Sequence, residues 1–74
     1  MTTYTATAYG HTFRKNSKRT YTHAVIGKYP SGGYSENWAG SEALAQKAAR
    51  YIASCPANCT GYVEQVAIVP ATAI

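Results

Sequence analysis

The sequence predicts an α+β domain: an antiparallel sheet of three to four strands with one helix packed on a face, in the order β-β-β-α-β. Three observations predict it. Several segments alternate apolar and polar residues with period two, as half-buried strands do. A single alanine-rich stretch carries helical spacing and a cap. The chain has 74 residues, enough for one domain spanning 1–74 and a thin core, since a chain this short buries only roughly 60% of the surface it exposes unfolded.

The first strand is expected in YTATAY, with Tyr4, Ala6 and Ala8 on one side and Thr5, Thr7 and Tyr9 on the other. The stretch 10–18, GHTFRKNSK, reads as a basic loop or hairpin tip around Asn16 and Ser17, with Phe13 as its one apolar anchor. Arg19–Tyr29 alternates again, Tyr21, His23 and Val25 against Thr22, Ala24 and Ile26. Pro30-Ser31-Gly32-Gly33 then combines a fixed φ with glycines that accept positive φ, a reverse-turn signal. Tyr34–Trp38 should return antiparallel to the strand before it.

Ser41 is placed to cap a helix over Glu42–Ser54, with Glu42 where the helix dipole favours an anion. Leu44, Ala45, Ala48, Tyr51 and Ile52 form its expected apolar face, and Gln46, Lys47 and Arg50 its polar one. The abundance of alanine predicts close approach to the sheet. Cys55-Pro56 stops the helix. A last strand is expected over Tyr62–Val69, with Pro70 ending the pairing and the final residues trailing off.

Composition narrows the function. The chain is 46% apolar and 14% charged, which marks a globular protein and not a disordered tail. It has no Asp, and Glu36, Glu42 and Glu64 show no spacing that pairs them for acid–base work. No nucleophile elbow or phosphate-cradling glycine loop is present. A single sheet-and-helix layer rarely encloses the roughly 300 Å³ that a substrate pocket needs. The sequence therefore predicts no enzyme and no cofactor. Cys55 and Cys59, three residues apart, lack a second ligand pair at comparable spacing, so a zinc site is not expected. A disulfide closing that loop and two ordinary thiols remain open. MTTYTATAYGH lacks the basic and long apolar parts of a secretory signal, and no segment approaches the ~18 apolar residues of a membrane span. A cytoplasmic protein is the expectation.

Net charge is +4, and its distribution is uneven. Residues 1–35 contain Arg14, Lys15, Lys18, Arg19 and Lys28 and no acid. Such a field attracts an anionic partner. With Tyr21, Tyr29 and Tyr34 nearby, these residues form the candidate binding set: cations neutralise phosphates and rings stack on bases. Tyrosine and arginine also anchor protein interfaces. Direct DNA or RNA contact, docking on a protein or nucleoprotein complex, and a homodimeric accessory role therefore all stay open.

RTYTHAVIGKYPSGGYSENWAG followed by SEALAQKAARY resembles, in layout, the plant-type AP2 DNA-binding domain, a three-stranded sheet followed by an alanine-rich helix. Trp38, Ala43, Ala45 and the AAR run carry the likeness. It implies a DNA-binding alternative without assigning any base-reading residue. As a whole the chain resembles the small orphan proteins of phages, among them the anti-CRISPR inhibitors. That resemblance implies an inhibitor docking on a host complex that handles nucleic acid, in the host cytoplasm.

Overall fold

In the computed structural model, which describes residues 1–74, the protein is α+β. Its elements in chain order are β1 (Thr2–Ala8), β2 (His11–Ser17), β3 (His23–Lys28), β4 (Tyr34–Ala39), α1 (Glu42–Ala53), β5 (Gln65–Pro70) and β6 (Thr72–Ala73). The strands make two antiparallel three-stranded sheets, ordered β2-β1-β6 and β4-β3-β5. The second sheet is the middle layer. One of its faces meets the first sheet through Ala24 and Ile26 against Ala6 and Ala8; the other meets α1 through Val25 and Ala39 against Ala45. No helix is long and apolar enough to cross a membrane.

Two strands are additional to the expected order. His11–Ser17, expected within a loop or hairpin tip, is the strand β2, paired residue for residue with β1 from Thr2↔Ser17 to Ala8↔His11. The turn lies earlier, at Tyr9 and Gly10, both at positive φ (54° and 76°). That backbone suits a two-residue hairpin because its twist matches the strands it joins. A bulky Tyr in this region is strained, and stacking on Tyr34 at 6.0 Å between ring centroids offsets part of the cost. Thr72–Ala73, expected to trail off, pairs with β1 as β6, and the Ile74 N–H donates to the Thr3 carbonyl at 2.9 Å.

The expected strand Arg19–Tyr29 is regular only over His23–Lys28, because residues 18–22 carry the chain from one sheet to the other. Thr22 straddles the crossing: its N–H donates to the Ala39 carbonyl and its own carbonyl accepts from Ala71. The turn after it forms where Pro30 to Gly33 predicts it. Gly32, at φ 101°, donates to the Tyr29 carbonyl, and the Tyr29 N–H donates to the Gly33 carbonyl. The last long strand begins at Gln65, not Tyr62. Val63 instead fills the space over Gly27, where a Cβ would lie 2.9 Å from its Cγ1. Pro70 lies in β5, an edge strand where its missing N–H costs no ladder bond.

Ser41 caps α1 by accepting the Leu44 N–H at 3.2 Å. The buried face of the helix is Ala45, Ala48, Ala49 and Ile52. Leu44 and Tyr51, expected on that face, are 56% and 82% exposed. Helical spacing allows either stripe. The small stripe wins because alanines let the helix lie close on the middle sheet, where a leucine and a tyrosine would hold it away.

Candidate functional site

The strand β2 positions the basic residues. Alternation sends Arg14 to the outer face of its sheet, beside Thr5, while Lys15 shares the inner side with Phe13. Both are exposed, as are Lys18 and Arg19 just beyond. The Arg19 N–H donates to Ser17 Oγ at 3.0 Å, which fixes the exit from the strand. None of these four cations is in an ion pair. Lys28 is: its Nζ lies 3.7 Å from Glu64 Oε1. The pair is partly exposed, so it contributes little stability, but it removes Lys28 from the free charge.

The candidate set divides along β2, whose seven residues span about 20 Å at ~3.3 Å per residue. At the hairpin end, Tyr34 is packed among Tyr9, His11 and Phe13, with centroid separations of 6.0, 4.7 and 5.6 Å. This ring cluster packs on the side of the core where β2 and β4 approach, and Tyr34 is half-buried within it. Burial, then the neighbouring Tyr34, pushes the Tyr9 hydroxyl above its usual pKa. Tyr29 lines a different depression of about 340 Å³ beside Tyr62 and Cys59. Lys28, Tyr29 and Tyr34 therefore belong to the opposite end from Lys18 and Arg19.

Around the exit of β2 the structure gathers residues that no sequence pattern joins. Arg19, Tyr21, Asn37, Trp38, Leu44 and Ala48 line a groove of about 370 Å³ between the crossing segment, the end of β4 and α1. Tyr21 is held edge-on by Tyr4 at 5.5 Å and meets Trp38 at 6.1 Å. The Trp38 indole N–H donates to Glu36 at 3.4 Å, which orients the ring. Sequence reasoning found Arg19 and Tyr21, gave Trp38 only to the hairpin and the AP2-like layout, left Asn37 unassigned and expected Leu44 in the core. The path of residues 18–22 brings Arg19 and Tyr21 to the junction of β4 and α1, where the other three lie.

Cys55 and Cys59 are free thiols. The interaction between the two thiols raises the Cys55 pKa and, helped by the Gly61 backbone, lowers that of Cys59. No three His, Cys, Asp or Glu side chains cluster in a way that could hold a metal ion. No protein-family model, curated protein or solved structure matches the chain.

Proposed function

We propose that this protein is a non-enzymatic binding module that docks, through β2 and its exit, on the phosphate-bearing surface of a nucleic-acid-handling complex. The observation that carries the proposal is the set Arg14, Lys15, Lys18 and Arg19, four exposed cations on one strand and its continuation, none of them neutralised by an ion pair. Charges of one sign along an edge strand and its continuation speed encounter with an anionic surface. A second reading, the phage-type inhibitor seated on a host protein in the cytoplasm, is favoured by a separate observation. β2 pairs only with β1, so its outer edge carries unpaired backbone groups onto which a partner strand can add.

Titration against labelled duplex and single-stranded nucleic acid at about 0.15 M salt, beside a pull-down from nuclease-treated extract, tests both. Four phosphate contacts on duplex DNA give a log–log salt slope near about −3.6. Binding abolished by Arg14→Glu, Lys15→Glu and Arg19→Glu together supports the phosphate surface. A complex that survives nuclease treatment, with no nucleic acid bound at any salt, supports the protein partner instead. Binding that persists through charge reversal refutes the role given to these cations.

A further inference from the structure

We infer that the groove lined by Tyr21, Trp38, Asn37 and Arg19 takes one unstacked base of a single-stranded nucleic acid. The inference rests on the phosphate-surface reading and names what that surface holds. Three features of the groove favour such an occupant. Its walls include aromatic residues: the Tyr21 ring meets Tyr4 edge-on at 5.5 Å and Trp38 at 6.1 Å, and the Trp38 indole N–H donates to Glu36. Such rings give a base a face to stack on. The exposed Asn37, on the α1 side of β4 whereas Trp38 is on the other, makes no side-chain hydrogen bond within the protein, so its amide stays free for a polar group of the same ligand. Arg19 is free of any ion pair and is the one charged side chain that lines the groove, so it is available to an incoming phosphate, while Glu36 is engaged at the Trp38 indole.

The shape selects single strands. Reading a duplex needs an element that projects into a groove of the nucleic acid. Here the protein surface is concave, and at about 370 Å³ it accepts only what protrudes from its partner. A splayed base on a single strand does so; stacked and paired bases do not. The exposed Leu44 adds apolar surface on the α1 side of the groove.

Trp38 is the chain's single tryptophan and therefore a specific reporter. The test titrates the intact protein with a short oligothymidylate and with an abasic oligonucleotide of equal length, following both affinity and Trp38 emission. Both probes carry the same phosphates. The expected result is quenching by oligothymidylate alone and binding of the abasic probe about 5- to 150-fold weaker, the equivalent of one lost base stack. Tyr21→Leu, which keeps apolar bulk beside Tyr4, should weaken oligothymidylate towards the abasic value while leaving the abasic affinity unchanged. Equal affinities with unchanged emission overturn the base site, yet leave the phosphate surface intact if charge reversal still abolishes binding. Failure of both probes overturns both. Quenching produced only by a protein partner assigns the groove to an apolar side chain and likewise overturns the inference.

Discussion

The two sheets use the same antiparallel pairing for different ends. The β4-β3-β5 sheet is covered on both faces, by the first sheet and by α1, and its central strand holds Ala24, Val25 and Ile26 without any exposure. The β2-β1-β6 sheet is covered on one face only. Its other face carries Thr3, Thr5 and Thr7 opposite Asn16, Arg14 and Thr12, and two of the pairs bond across the strands: Thr3 Oγ1 donates to Asn16 at 2.6 Å, and Thr7 and Thr12 hydroxyls meet at 3.3 Å. Double coverage excludes water from apolar side chains and so concentrates stability in β3. Single coverage leaves a sheet whose outer face and free edge can carry charge. The buried apolar side chains are thus concentrated in the middle layer, and the unpaired cations of β2 lie in the outer one.

Substitutions in the two layers sharpen or break that division. The largest expected effect is Ile26→Ala, which removes the bulkiest side chain that is wholly buried and should cost about 2–5 kcal/mol. Urea unfolding with the slope unchanged measures it. Gly27→Ala comes next, at about 1–3 kcal/mol, because the added Cβ would lie 2.9 Å from the branched Val63 side chain in a strand that cannot shift without moving both its neighbours. Thr5→Val should be the smallest, within about 0.5 kcal/mol: it keeps the β-branch and gives up one long hydrogen bond, 3.5 Å from Thr5 Oγ1 to the Thr72 carbonyl. A loss at Thr5 as large as that at Gly27 would mean that the outer face also holds the fold together, and the division would fail.

The helix shows how far the residues alone lead. Its bounds and its cap follow from Ser41, Glu42 and the Cys55-Pro56 stop, all of which act on neighbouring backbone. Its orientation does not. Leu44 and Tyr51 satisfy the same spacing as Ala45 and Ile52, and a preference for large apolar residues selects the wrong stripe. The site divides in the same way. Arg14, Lys15, Lys18 and Arg19 are legible as a cluster because they are close in sequence. The groove is not, since Tyr21, Trp38 and Leu44 come from three separate segments with no common period.

By itself the sequence determined what depends on near neighbours: the class of the fold, the hairpin turn at Pro30 to Gly33, the single capped helix and the basic field of the first half. Turn residues, caps and periodicity act over a few residues, so they can be read without knowing where the rest of the chain lies. The tertiary structure decided the division into two sheets, the pairing of Thr72–Ala73 with β1, the buried stripe of α1 and the groove at the exit of β2. Each of these depends on backbone groups or side-chain volumes far apart in sequence. A two-residue strand has no periodicity to announce it, and which of two helical stripes is buried depends on how closely the opposing sheet can approach.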